Sequence, residues 1–278
     1  MNKPHHASGY KRQKTELAES VLLEAWSRLG EYRDKMVLVG GLVPRYLINQ
    51  TIARQQGNLH CGTMDIDLGV SIAVTDAETY RSIRSTLDTM GFTPGKNERG
   101  REQLHSFIKQ IGGVEVNIDF LTTIYGGPDN SLMRELEGDL RAIQVEGLGL
   151  ALNSPHKIQI EGNLLSGGIS TEEVNVCREI PFIILKSLAF DSRRECKDVY
   201  DLVYVLVNYE GGAEAVAQLS TKEEILEESF KKAVAVLQNR FRDISHDGPK
   251  KYAQFVDTEN AEAIAFAAVQ EFLSGIPG

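Results

Sequence analysis

Residues 62–70 read GTMDIDLGV, and their period-two alternation predicts a strand over Met64–Val70. In such a strand Asp65 and Asp67 project from one face, while Ile66 and Leu68 point into a core. Two carboxylates side by side repel each other, and a divalent cation is the usual compensation. Oxygen-only donors suit magnesium or manganese. An edge strand with two incidental solvated acids has the same local pattern, so the neighbouring segments must carry the distinction. Downstream, His105–Ile111 and Val114–Leu121 flank Gly112 and Gly113 at the spacing of a tight hairpin. In its second arm Val114, Val116, Ile118 and Phe120 share one face, and Glu115, Asn117 and Asp119 the other. Asp65, Asp67 and Asp119, converging from adjacent strands, would hold two metals roughly 4 Å apart.

Upstream, the apolar run Met36–Val39 ends in Gly40 and Gly41, and a helix is predicted from near Val43 with Pro44 in its first turn. Without Cβ atoms the backbone can approach a phosphate closely, and the first N–H groups of a helix point at it. A plain tight turn reads the same way. The pair lacks the third glycine of a dinucleotide fingerprint and the GK[ST] of a Walker A loop. Before it, Leu17, Val21, Leu22, Ala25, Trp26 and Leu29 recur at helical spacing and Gly30 follows. After the acidic strand, Thr75 and Glu78 resemble a capping box, Tyr80, Ile83, Leu87 and Met90 form one helical stripe, and Gly91 ends it.

Residues 145–177 read as short strands separated by Gly, Asn and Ser. From Pro181 the pattern is helical almost throughout, broken at Gly211–Gly212 and irregular around Asp247–Lys251. The predicted fold class is α+β: a mixed-sheet domain over residues 1–178, then a helical domain over 179–278. Near the start of the helical part stand Lys186 and the run Lys197, Asp198, Val199, Tyr200, Asp201, Leu202. Asp198 and Asp201 share a helix face, and Lys197 and Asp201 form an i, i+4 pair. On a surface such a pair is worth only about 0.2–0.5 kcal/mol. Here it interrupts a segment dense in Phe182, Ile183, Ile184, Leu185 and Leu188, which predicts charges facing an inter-domain cleft. There a lysine would counter triphosphate charge, and an acid could act as a base. His60 and His105 read as polar surface or satisfied buried residues, Arg45 as exposed, and Arg193 with Arg194 as a basic rim.

The set LVGG (38–41), GTMDIDL (62–68), NIDFL (117–121), LKSLAF (185–190) and KDVYDL (197–202) resembles DNA polymerase β-like nucleotidyltransferases. In particular it is similar to the abortive-infection nucleotidyltransferase toxins, the AbiEii-like and MenT-like family. That resemblance implies metal ligation by Asp65, Asp67 and Asp119, with Gly40, Gly41 and Thr63 at the nucleotide phosphates. It also implies that Lys186 and Lys197 contact the nucleotide, and that Asp198 and Asp201 order nucleotide or acceptor. The implied activity is Mg2+-dependent (or Mn2+-dependent) transfer of a nucleoside monophosphate from an NTP to an acceptor hydroxyl, such as a tRNA or other RNA end. The implied setting is a toxin restrained by an antitoxin protein. Transfer to a small molecule or protein, and a silent binding module, share the same motifs. Leu42 stands where the family usually has Ser or Thr. A DxD phosphatase fits poorly: His60, Cys61, Gly62 and Thr63 replace the apolar strand expected before its first acid, and Gly69 stands where a hydroxyl is wanted.

Composition limits the alternatives. With 42% apolar and 25% charged residues in 278, the chain is an ordinary globular protein, which excludes disorder and small disulfide scaffolds. No apolar run nears the roughly 18–20 residues of a membrane helix, and MNKPHHASGYKRQK lacks a secretory h-region. Cys61, Cys177 and Cys196 form no CxxC pair. Together these predict a cytoplasmic protein. The 30 basic and 39 acidic residues give a net charge of −9, which argues against a broad duplex-DNA binder. Lys3, Lys11, Arg12 and Lys14, with no acid among the first 14 residues, predict a flexible basic arm.

Overall fold

The computed structural model describes residues 4–71, 77–97, 99–124, 133–137 and 140–278. In chain order the elements are α1 (Arg12–Arg28), β1 (Met36–Val39), α2 (Pro44–Leu47), α3 (Gln50–Gln55), β2 (Asp65–Val70), α4 (Ala77–Thr89), β3 (Thr93–Lys96), β4 (Glu102–Ile111), β5 (Val114–Thr123), β6 (Met133–Glu137) and β7 (Leu140–Val145). Then follow α5 (Leu148–Leu152), β8 (His156–Asn163), β9 (Ile169–Val176), α6 (Glu179–Arg193), α7 (Cys196–Asn208), α8 (Gly212–Gln218), α9 (Lys222–Leu226), α10 (Glu228–Arg240), α11 (Asp247–Val256) and α12 (Ala261–Gly275). The chain is mixed α/β and forms two compact units. Residues 12–42 and 63–177 make the sheet unit, and residues 1–11, 43–62 and 178–278 the helical unit. One boundary thus falls between Cys177 and Arg178, and the segments 1–11 and 43–62 group with the later helices.

The sheet unit is built on one mixed sheet with strand order β3-β4-β5-β2-β1-β9-β8, and β7, with β6 beside it, pairs with the end of β5. β2 runs antiparallel to β1 and parallel to β5. The β4–β5 hairpin turns at Gly112 (φ +57°) and Gly113 (φ +79°), both in the left-handed region that such two-residue turns require. β4 leaves β5 after Asp119, and β7 takes its place from Leu121. α1 packs across β8 and β9 through an apolar stripe that includes Val21, Leu22 and Trp26, all fully buried. The Trp26 indole N–H donates to the Glu173 carbonyl at 2.8 Å, so burying that ring leaves no donor unpaired. On α4 the predicted stripe is buried at Ile83 and Leu87. Thr75 of the predicted capping box and Lys3 of the basic arm lie outside the described residues.

The helical unit buries Phe182, Ile183, Phe190, Val203, Leu237, Phe241, Phe255 and Phe272. Three expectations are corrected in it. The helix expected after the glycine pair is two short ones, α2 and α3, the latter capped by Asn49, whose side chain accepts from the N–H groups of Thr51 and Ile52. Residues 4–11 are not a free arm: the Tyr10 ring packs at a tilt against Phe255 with centroids 6.0 Å apart, and His6 hydrogen-bonds the Gln254 carbonyl at 2.9 Å. The stretch at Asp247–Lys251 is not irregular but opens α11. Pro249 falls in its first turn, where the missing N–H costs nothing. Gly248 lets the Phe241 ring close in, since a Cβ there would sit 2.6 Å from it. Among the described residues no helix is long and apolar enough to cross a membrane.

Candidate active site

Asp65 lies opposite Asn117, and Asp67 opposite Asp119, across the parallel β2–β5 pair. Paired residues of parallel strands share a face, so these four side chains form a two-by-two block on one side of the sheet. On the other side Ile66, Leu68, Ile118 and Phe120 are buried. A slip of one residue would turn the acids into that core, so the burial that forms the strands also gathers the carboxylates.

The glycine pair meets this block. β1 is antiparallel to β2 with Val39 opposite Asp67, and the next residue, Gly40, has φ +74°. A Cβ on Gly40 would stand 1.8 Å from Oδ2 of Asp67, so the carboxylate lies directly against the Gly40 backbone. A Cβ on Gly41 would stand 3.1 Å from both Cβ and Oγ1 of Thr63. Thr63 is itself buried: its Oγ1 accepts the Asp65 N–H at 3.2 Å, and its own N–H donates to Thr15 Oγ1 at 3.1 Å. Leu42 is wholly buried, a core residue. Gly40, Gly41, Thr63, Asp65, Asp67 and Asp119 are therefore brought together within the sheet unit. The donor set is all oxygen, which fits a hard divalent cation such as Mg2+. Among the described residues no three His, Cys, Asp or Glu side chains already close as a ligand group, so the fit lies in donor type and register. His105, on β4, is buried with its Nδ1 lacking a hydrogen bond, and burial holds its pKa below the usual value.

Lys186, Lys197, Asp198 and Asp201 assemble inside the helical unit. The Lys186 ammonium lies 3.1 Å from Asp198 Oδ1 and 2.7 Å from Asp201 Oδ2. Arg193 grips Asp198 with two N–H groups, at 2.6 and 2.7 Å. Lys197 pairs with Asp201 and lies over the rings of Tyr10 and Tyr200, at 5.5 and 5.4 Å. His60 joins the same carboxylate, its Nε2 2.8 Å from Asp201 Oδ1, and the Tyr200 hydroxyl accepts the Cys61 N–H at 2.9 Å. Asp198, Asp201 and Lys186 are all buried, so these charges answer one another. Arg194, expected at a basic rim, is committed to Asp247 at 2.6 Å. Burial alone would raise the Asp201 pKa, yet Lys186 and Lys197 hold it well below the usual carboxylate range. Burial alone would lower that of Lys186, and the two aspartates hold it above.

Of the two expectations for His60, polar surface or satisfied buried residue, the second holds, although nothing local links it to Asp201, 141 residues away. Its Nδ1 accepts the Gly62 N–H at 3.1 Å, so Nε2 carries the proton and donates to Asp201. Burial, with the Lys197 charge beside it, lowers the His60 pKa to about 4, outweighing the attraction of Asp201. The unfolded chain binds this proton from about pH 6.5 downward and the folded chain does not, so His60 makes stability fall with pH between about 6.5 and 4. The slope is about 1.4 kcal/mol per pH unit for one proton. Urea unfolding across that window is expected to show it, and His60→Gln to remove it; an unchanged slope in the variant would contradict the assignment.

No protein-family model matches the sequence, and no curated protein matches it. In structure the chain is similar to the antibiotic-resistance factor ANT(2'')-Ia (13% identity, TM-score 0.37, covering 82% of this chain and 98% of that one). It is also similar to E. coli MS115-1 CdnC, in its complex with HORMA-deltaN (12%, 0.25, 100% and 94%) and with ATP (12%, 0.26, 98% and 93%). These neighbours are nucleotidyltransferases.

Proposed function

We propose that the protein is a metal-dependent nucleotidyltransferase that moves a nucleoside monophosphate from an NTP to an acceptor hydroxyl. The observation that carries the reading is the register of β2 on β5. It sets Asp67 opposite Asp119 with Asp65 on the same face, against a glycine pair without Cβ atoms. Asp65, Asp67 and Asp119 would hold Mg2+ or Mn2+. Bound there, the cations would supply charge stabilisation for the attacking and leaving oxygens of an in-line displacement. The missing Cβ atoms of Gly40 and Gly41 admit the Asp67 carboxylate and the Thr63 side chain, so the pair would meet a phosphate through its backbone, and Thr63 fixes the start of β2 through its bond to Asp65 N–H. Following the resemblance, the acceptor is an RNA end such as that of tRNA, and the enzyme acts as a toxin with an antitoxin partner. For Lys186 to reach a nucleotide it would have to leave two carboxylates. Its role in this reading is to hold α6 on α7, with Asp198 and Asp201.

The test is incubation of the pure protein with each labelled triphosphate, with and without tRNA, in Mg2+ and in EDTA. Label transfer that needs the metal is expected. Asp67→Asn should lower it at least about a thousandfold, because several kcal/mol of charge stabilisation go with the carboxylate. Absence of transfer with every triphosphate and acceptor, or equal transfer by Asp67→Asn, would overturn the reading. Transfer without tRNA would move the acceptor to a small molecule or the protein itself. A thermal shift with Mg2+, lost in Asp67→Asn, separates a working site from a silent module.

A further inference from the structure

Asn117 occupies the fourth corner of the acidic block, and sequence reading gave it no task. Asparagine is a poor strand former, yet it sits mid-strand in β5, the most centrally paired strand of the site. Its lateral neighbours are Asp65 on β2 and Ile108 on β4, and two residues along its own face stands Asp119. Its Nδ2 points to Asp65 Oδ1 at 3.5 Å, the sensible orientation, because the reverse would set two acceptors against each other. That leaves Oδ1, which is shielded from solvent and has no hydrogen-bond partner. Ile108 offers none. A buried carbonyl oxygen without a donor is costly and rare, and here it shares a sheet face with three carboxylates.

Resting on the reading of Asp65, Asp67 and Asp119 as a cation site, we propose that Asn117 is its fourth protein ligand, giving a neutral oxygen through Oδ1. Hard divalent cations take six or more oxygens. Three aspartates already bring a charge of −3, so a fourth acid would add repulsion where an amide oxygen adds a donor without charge. The amide also serves both neighbours at once: its N–H side faces the Asp65 carboxylate and its oxygen is left for the metal.

Mn2+ binding to the full chain, followed by electron paramagnetic resonance of the free ion and by calorimetry, tests this without any turnover. Asn117→Ala is expected to weaken Mn2+ roughly tenfold or more. Asn117→Asp keeps an oxygen but loses the N–H group, and is expected to bind Mn2+ at least as tightly as the wild type. Circular dichroism in EDTA controls for folding, with Asn117→Val as a second deletion of the ligand if Asn117→Ala is unfolded. Wild-type affinity in the folded Ala or Val variant overturns the proposal. So does equal weakening by Asn117→Asp and Asn117→Ala, which would assign the residue to orienting Asp65 alone. If the wild type binds no Mn2+, or Asp67→Asn binds it equally, the underlying cation site fails instead.

Discussion

Asp201→Ala is expected to destabilise the protein by about 3–5 kcal/mol, the cost of stranding buried charge. At neutral pH the cluster holds three cations, Lys186, Arg193 and Lys197, against two anions, Asp198 and Asp201, with His60 neutral. Its sum is +1. Without Asp201, three cations face one anion, the sum rises to +2, and His60 Nε2–H loses its acceptor. Lys186→Met moves the sum to zero and leaves each acid a partner, Asp198 with Arg193 and Asp201 with Lys197. It should therefore cost clearly less than Asp201→Ala, although the two residues are in direct contact. The double variant Lys186→Met/Asp201→Ala should cost less than the sum of its parts. Urea unfolding of the four proteins at pH 7 measures this. A Lys186→Met cost equal to or above that of Asp201→Ala would contradict the charge argument and point to packing as the main effect.

The same cluster shows where sequence reading stops. Helix α7 could be read, since its i, i+4 and i, i+3 spacings are local, and the Lys197–Asp201 pair forms as the spacing predicts. A charged run in an apolar segment is equally compatible with a cleft and with a buried network. The difference lies in partners at long range, His60 and Lys186, which no periodicity encodes. At the sheet the situation is reversed. The alternation of DIDL and of VEVNIDFL fixes which face each acid takes, and the doubled glycine fixes the hairpin, so the strands were readable. The pairing of β2 with β5 was expected only as adjacency; that Asp67 meets Asp119, and Asp65 meets Asn117, follows from burial of Ile66 against Ile118 and Leu68 against Phe120. The α11 start at Asp247 was missed because Gly248 and Pro249 signal a break in a helix interior but are tolerated in its first turn.

Gly40→Ala is expected to be nearly as damaging to activity as removal of the Asp67 carboxylate, although alanine adds only one carbon. Two costs act together. At φ +74° an alanine pays the left-handed penalty of about 1 kcal/mol. Its Cβ would also lie 1.8 Å from Asp67 Oδ2, 2.7 Å from Cγ and 2.9 Å from Cβ, so the carboxylate must turn away or the strands must part. The total is roughly 2–5 kcal/mol of stability. Gly41→Ala is the internal control. Its Cβ would approach Thr63 no closer than 3.1 Å, and a small shift of that side chain accommodates it. The two costs at Gly40 separate in the double variant Gly40→Ala/Asp67→Gly. Relative to Asp67→Gly alone, the added alanine should cost only the backbone penalty, because every atom it would strike from Asp67 beyond the backbone is gone. If Gly40→Ala costs the same in both backgrounds, the glycine serves the turn and not the carboxylate. If it costs most only when Asp67 is present, the first glycine of the pair is there to seat the acid.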